Sequence, residues 1–396
     1  MKVIISLEHR FDRTPDGRVW TQTTFPYSFW LRYLKVFDRV CVVARVRELP
    51  SVPSDWERAD GEMVSFAAVP CYIGPVEYLL KASQVKQVMR NTVGDSDAII
   101  LRVPSRLATD IQPLLRRNNR PFAVEVVADP FDVFAPGSID TPLRPFFQWW
   151  YTRNLQHDCA KAMAAAYVTK LALQQRYPCP NFSRGISDVV LPDQSIVAEP
   201  RPLRQDLDPV TLVFIGTMSQ LYKAPDVLIK AVAICVQEGI NINLLMLGDG
   251  QYRAELEDLA TVQHISNRVS FLGQLAAGDA VQTQLDRADL FVLPSYQEGL
   301  PRAMVEAMAR ALPCIGSNVG GIPELLSSED MVTPGDVNAL ASKIREVVTN
   351  PDRMAQMSAR NLATAQEYRD TVLKEQRIEF YRHVRSRTEA WLSNQQ

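Results

Sequence analysis

The chain has little with which to hold a metal or a disulfide framework. Its six cysteines stand singly at 41, 71, 159, 179, 235 and 314, with no Cys-x-x-Cys pair, and its four histidines, at 9, 157, 264 and 383, are equally scattered. Neither set has zinc-ligand spacing, and the expectation is a reduced, cytoplasmic protein with no metal. No Asp-x-Asp pair closes a strand-like run, and the glycine turn Gly248-Asp249-Gly250 lacks the full six-residue pattern of a dinucleotide site. No sign of charge dominates either. With 43 Lys and Arg against 45 Asp and Glu, the net charge of -2 gives no global electrostatic reason to expect nucleic acid as a partner. The opening MKVIISLEHRF has only a short apolar run, broken at Glu8, His9 and Arg10, which suits a buried strand and neither a signal peptide nor a membrane span. Internal repeats and low-complexity stretches are likewise missing.

What is present is enough chain, at 396 residues, for two domains of ordinary size, with the 46% hydrophobic content of a folded protein. Short apolar, β-branched runs (Val3 to Leu7, Val40 to Val46, Ala98 to Leu101, Phe122 to Val127) have the length and lack of alternation of buried parallel strands. A second series follows at Leu212 to Ile215, Ile242 to Leu247, Val269 to Leu272 and Leu290 to Leu293, interleaved with helical periods such as Asp226 to Val236. This alternation predicts an α/β fold with a doubly wound parallel sheet in each half. The segment before residue 210 carries prolines at 192, 200, 202 and 209 and little periodicity, as a linker does. The expected division is a domain over 1–192, a linker over 193–209 and a domain over 210–369. A charged terminal helix, about 370–396, is expected to pack back on the first domain.

The residues that suggest chemistry lie in the second half. After the strand ending Leu293-Pro294 the chain reads Ser295-Tyr-Gln-Glu298-Gly299-Leu300-Pro301, and Pro301 is well placed to open a helix that carries Glu306. Free amides at a helix start, with Gly299 permitting close approach, form a natural diphosphate site at the carboxyl end of a parallel strand. The two carboxylates can accept hydrogen bonds from sugar or ribose hydroxyls. A helix merely packed on a sheet accounts for Ala303, Met304, Val305, Ala307 and Met308, but not for Glu298 or Glu306. Upstream, the run to Ile215 leads through Gly216 to Lys223 at the start of the next helical period, where the lysine would either be solvated or neutralise a diphosphate. Asn318-Val-Gly320-Gly321-Ile-Pro-Glu324 follows another short strand, giving a glycine turn on the same sheet edge.

These segments, in this order, resemble the C-terminal domain of the retaining glycosyltransferases of family four. The specific mark is the two glutamates, 298 and 306, within EGLPRAMVEAMARALPCIGSNVGGIPEL, supported by Leu247-Gly-Asp-Gly250, by Arg268 to Gly273 and by the strand leading to Lys223. The resemblance covers about residues 211 to 345. It implies the GT-B architecture, two Rossmann-like domains facing a cleft, and transfer of a hexose-type sugar from a nucleoside diphosphate, of the UDP or GDP type, to a hydroxyl acceptor. Lys223 would contact the diphosphate, Gly216 would let it approach, Glu298 with the backbone of Gly299 and Leu300 would hold the transferred sugar, and Glu306 would bind the ribose. Gln274 and Leu275, after Gly273, resemble the edge that meets the base. One departure is Thr217, where many members place an arginine, which shifts phosphate charge onto Lys223, backbone amides and Arg302.

In the first half, Gly17 of Arg13-Thr-Pro-Asp-Gly-Arg18 stands where the family has its donor-facing glycine loop, although an ordinary surface turn reads the same way. Asp129 occupies the place of a family histidine, with two roles open: a sugar or acceptor contact, or a cap on the following turn. Two aromatic, basic stretches, Phe25 to Phe37 and Arg144 to Arg153, would serve either as packed helices or as a peripheral contact with the cytosolic membrane face, where a glycan or lipid-linked acceptor would be met. Alternatives to a transferase are a noncatalytic sugar-nucleotide or glycan binding subunit and an epimerase of the same fold.

Overall fold

The structure, a computed structural model, describes all residues except 23, 95, 135–142, 203–207, 277 and 396. It divides into two compact units: 1–128 with 150–186 and 374–396, and 129–149 with 187–373. The expected boundary at 192 therefore moves to 186, and 129–149 groups with the second unit although it precedes the linker in sequence. Residues 203–207 of the linker lie outside the described residues.

The first unit is built on strands β1 (Lys2–Arg13), β2 (Val19–Thr21), β3 (Arg39–Glu48), β4 (Glu57–Arg58), β5 (Val64–Pro70), β6 (Ala98–Val103), β7 (Ala123–Val126), β8 (Ala164–Tyr167) and β9 (Phe182–Gly185). Seven of them run parallel in the order β5-β3-β1-β6-β7-β8-β9, while β2 and β4 add a short antiparallel flap to the far end of β1. The sequence-level run Val3 to Leu7 is thus only the first part of a longer strand, which resumes its pairing with β3 after an irregularity between Ser6 and Arg10. β8 reads AAAY, so small side chains hid it from a search for β-branched runs.

Helix Tyr27–Leu34 contributes Trp30 and Tyr33 to the core, with Phe37 following, so the aromatic stretch Phe25 to Phe37 is packing. The terminal helix Asp370–Ser393 belongs to this unit from residue 374 onward and buries Phe380, Tyr381 and Val384 in the same core. Its anchor is polar as well as apolar. Glu125, on β7, is paired with the buried Arg102 of β6 and accepts hydrogen bonds from Tyr33 Oη at 2.9 Å and Tyr381 Oη at 3.2 Å. A buried carboxylate is tolerated when its lone pairs are met in this way.

The second unit has six parallel strands, β10 (Val210–Ile215), β11 (Ile242–Leu247), β12 (Val269–Gly273), β13 (Leu290–Leu293), β14 (Cys314–Ser317) and β15 (Met331–Val332), in the order β12-β11-β10-β13-β14-β15. Strand order reverses between β10 and β13, and the crevice at such a reversal, outside the carboxyl ends, is where open α/β sheets bind ligands. Arg201, from the linker, fastens the chain to this unit by donating to the carbonyls of Arg310 and Leu285 at 3.1 and 2.8 Å.

One buried acid in the first unit is costly. Asp158, near the end of helix Arg144–Lys161, is 7% exposed, and burial pushes its carboxyl up to about 7 against the partial relief of Arg116. Its folded form holds the proton longer than the unfolded chain, so its contribution to stability declines as pH rises from about 4 to 7. Asp158→Asn is expected to stabilise the protein above pH 7, by on the order of 4 kcal/mol at most, and to make no difference near pH 4; urea unfolding of both forms across that range checks it.

Candidate active site

Two loops meet at the reversal. After β10 the chain passes Gly216 and a single 3-10 turn, Leu221–Lys223, then bends through Ala224 (φ 51°) into helix Pro225–Gln237. After β13 it runs from Pro294 to Pro301, which caps helix Arg302–Ala309 and lies one residue before it. The Tyr296 N–H donates to Tyr222 O at 2.8 Å and fixes one loop on the other. Lys223 Nζ reaches Glu298 Oε1 at 2.5 Å, and Ser295 Oγ donates to the same oxygen at 2.7 Å. Glu298 is only 8% exposed, so both donors offset the desolvation of its charge. Sequence reasoning placed Lys223 and Glu298 in one site without joining them, and it missed Ser295, whose position three residues before Glu298 was the available signal.

Backbone crowding holds this edge together. Gly320 (φ 52°) lies so close to Glu298 that a Cβ would stand 1.8 Å from its carbonyl oxygen, and the Gly321 N–H donates to Gly299 O at 2.6 Å. A Cβ on Gly248 (φ 133°) would meet Gly216 O at 1.9 Å. In the Gly320-Gly321 turn, expected from the sequence only as a glycine turn, Gly320 is therefore a packing requirement. Ser317 Oγ, donating to Ser295 O at 2.7 Å, adds a second tie between the loops after β13 and β14.

Around the ion pair, several groups are left for a ligand. The Gly299 and Leu300 amides, just before the helix start, donate to no acceptor among the described residues. The side-chain carboxyl of Glu306, half-buried on that helix, makes no hydrogen bond among the described residues; burial raises its pKa, with the nearby Arg302 guanidinium opposing the shift. Gly216 takes its place through a hydrogen bond from its N–H to Leu247 O at 2.9 Å. Exposed Gln274 and half-buried Leu275 follow β12, whose last residue, Gly273, accepts from the Gly248 N–H at 2.9 Å. Thr217 has a local role, accepting from Ser219 N at 3.1 Å.

The two remaining candidates lie on other elements. Gly17 (φ 83°) is in the hairpin between β1 and β2 in the first unit, closed by its own N–H to Thr14 O at 2.9 Å, with open space where a Cβ would be. Asp129 is the N-cap of the short helix Pro130–Val133, accepting from Phe131 N at 2.9 Å, which is the capping role left open by the sequence. Among the described residues, no cluster of three or more His, Cys, Asp or Glu is placed to hold a metal, and no helix is long and apolar enough to cross a membrane.

Residues 197–363 match the family model described as glycosyl transferases group 1. Protein CapJ of Staphylococcus aureus is 30% identical over 329 residues, covering 82% of this chain and 81% of CapJ. Among solved structures, sucrose-phosphate synthase of Thermosynechococcus elongatus superposes with a TM-score of 0.70 at 16% identity, covering 96% of this chain and 99% of that one. HepE of Anabaena, in complex with UDP and glucose, gives a TM-score of 0.63 at 17% identity over 96% of this chain and 98% of its own. The chain belongs to the group 1 glycosyltransferases: it is a transferase with the GT-B fold.

Gly320→Ala would force the loops after β13 and β14 apart. An expected loss of on the order of 2 kcal/mol or more would appear in urea unfolding, together with a larger fall in transferase activity, since Glu298 moves with its own carbonyl.

Proposed function

We propose that this glycosyltransferase binds a nucleoside diphosphate sugar on its second unit and transfers a hexose-type sugar, with retention, to a hydroxyl of a glycan or lipid-linked acceptor. The observation that carries the reading is the Lys223–Glu298 pair at the strand-order reversal, beside the unengaged amides of Gly299 and Leu300. An incoming diphosphate competes with Glu298 for the lysine. The released carboxylate then accepts from hydroxyls of the transferred sugar, and Glu306 accepts from the ribose. Gly216 admits the phosphates, while Gln274 and Leu275 flank the base. Uridine is the first base to try, because HepE is recorded with UDP.

In the reaction the bond from the anomeric carbon to the β-phosphate oxygen breaks as the acceptor oxygen bonds to that carbon on the same face. The acceptor proton passes to the leaving phosphate, so the products are the glycoside and the nucleoside diphosphate. Lys223 and the two amides stabilise the charge that develops on the leaving group, which requires no metal. Gly17 and Asp129 enter this reading only as further contacts on the donor phosphates and on the sugar or acceptor. Assembly of a polysaccharide or glycolipid is the setting that suits such an acceptor.

Glu298→Gln is expected to bind UDP or GDP at least as tightly as the wild type, because Lys223 loses its competitor, while turnover falls at least a hundredfold. Lys223→Ala should weaken the diphosphate by ~10- to 100-fold and leave the nucleoside unchanged. Calorimetry and product analysis by proton NMR, with and without EDTA, check these outcomes, the metal-free mechanism and retention at the anomeric carbon. Equal losses for nucleoside and diphosphate in Lys223→Ala would contradict the assignment.

A peripheral membrane contact also has a specific observation in its favour. Helix Gly74–Thr92 exposes Val76, Leu79 and Leu80 at 70, 71 and 80%, and the same face continues into exposed Lys86 and Arg90. Apolar residues followed by cations suit an anionic lipid surface; on helix Arg144–Lys161, Phe146 and Trp149 are exposed too. The protein should sediment with phosphatidylglycerol vesicles, weakly at high salt, and a Val76→Ser, Leu79→Ser, Leu80→Ser variant should stay in the supernatant.

A further inference from the structure

The two oxygens of Glu298 have different surroundings. Oε1 accepts from Lys223 Nζ at 2.5 Å and from Ser295 Oγ at 2.7 Å. Oε2 accepts no hydrogen bond among the described residues and is not shut off from solvent, although the side chain as a whole is 6% exposed. One oxygen is therefore held by the protein, and the other is left for a ligand. A glutamate side chain turns about several single bonds, so its carboxylate keeps one orientation only where fixed partners hold it.

The two partners differ in kind. Lys223 is a cation on a long, flexible stem, brought from the loop after β10 and 17% exposed, and it is the partner that a diphosphate attracts. Ser295 is neutral, has no accessible surface and lies three residues before Glu298 on the same loop. Its backbone is fixed from two directions. Ser317, the equally buried last residue of β14, donates through Oγ to Ser295 O at 2.7 Å, and the neighbouring Tyr296 N–H donates to Tyr222 O at 2.8 Å. The parallel pairing of β13 with β14, which runs to Leu293 and Gly316, sets the first of these contacts. A short side chain on a fixed backbone, donating to a charged oxygen, makes a strong and directed hydrogen bond.

If Lys223 were the sole partner, its move to a diphosphate would leave a buried carboxylate with none, and Glu298 would turn toward water or follow the lysine. We propose that Ser295 is a positioning residue of the donor site: its hydroxyl keeps Glu298 Oε1 in place while Lys223 changes partners, so that Oε2 stays directed at the hydroxyls of the transferred sugar. The proposal rests on the reading of this sheet edge as a site for a nucleoside diphosphate sugar. It divides the labour within that site, because Lys223 serves the diphosphate and Ser295, through Glu298, serves the sugar.

The test uses the full chain and calorimetry with UDP, UDP-glucose, UDP-N-acetylglucosamine, GDP and GDP-mannose. The wild type is compared with Ser295→Ala, Ser295→Cys, Glu298→Ala and the double variant Ser295→Ala, Glu298→Ala. Ser295→Ala is expected to bind the nucleoside diphosphate as the wild type does and the matching sugar conjugate roughly tenfold more weakly. Ser295→Cys, which retains a weak S–H donor, should recover part of that loss, and it decides the matter if the alanine variant does not fold. In the Glu298→Ala background, removing Ser295 should cost no further affinity. A serine needed only for the shape of the loop would instead weaken nucleotide and conjugate by the same factor. That result, an unchanged affinity for the conjugate, or a full additional loss in the double variant would overturn the proposal. Binding of none of these ligands by the wild type would count against the donor site itself and remove the proposal with it.

Discussion

Four backbones converge at the carboxyl edge of the second sheet, and they do so more closely than side chains allow. Gly320 lies against the Glu298 carbonyl and Gly248 against that of Gly216, each at a distance that leaves no room for a Cβ. This contact holds Glu298 within reach of Lys223. With the loops a little further apart, the carboxylate would face water, the lysine would be a solvated surface cation, and the start of helix Arg302–Ala309 would present no defined site. Packing of glycine backbones thus sets the electrostatics.

The resulting ion pair suits exchange better than permanence. Lys223 and Ser295 satisfy a single oxygen of Glu298 in a site that is mostly shielded from solvent, where removing one partner leaves the other uncompensated. A diphosphate carries more charge than a carboxylate and adds the Gly299 and Leu300 amides as partners, so it can take the lysine and free the carboxylate for the sugar. In the proposed function, binding of the donor would then prepare the group that orients the sugar. The first unit shows a contrasting use of charge: Arg102 and Glu125 are closed off by Tyr33 and Tyr381, a network that anchors the terminal helix and leaves nothing for a ligand.

Much of this was legible in the sequence, because buried parallel strands are continuous apolar runs and helix starts carry recognisable residues. Strands β10 to β13 fall at or within one or two residues of their expected limits, and Glu298 and Glu306 fall in a loop and a helix as the pattern around Pro301 required. Features that depend on distant contacts were not legible. β8 is alanine-rich and identified by pairing alone, and segment 129–149 is assigned to the second unit by its contacts and not by its place in the chain. The partner of Lys223 is 75 residues away. Gly320 illustrates the limit best, since the sequence shows a glycine turn but not the carbonyl pressed against it.

The central claim is that Lys223 changes partners when the donor binds. The most direct measurement is the coupling energy between Lys223 and Glu298, from unfolding of wild type, Lys223→Ala, Glu298→Gln and the double variant, without ligand and with saturating UDP or GDP. The account predicts a coupling of about 1 to 3 kcal/mol in the free protein that falls toward zero with the diphosphate bound. A coupling that is unchanged by nucleotide would contradict it.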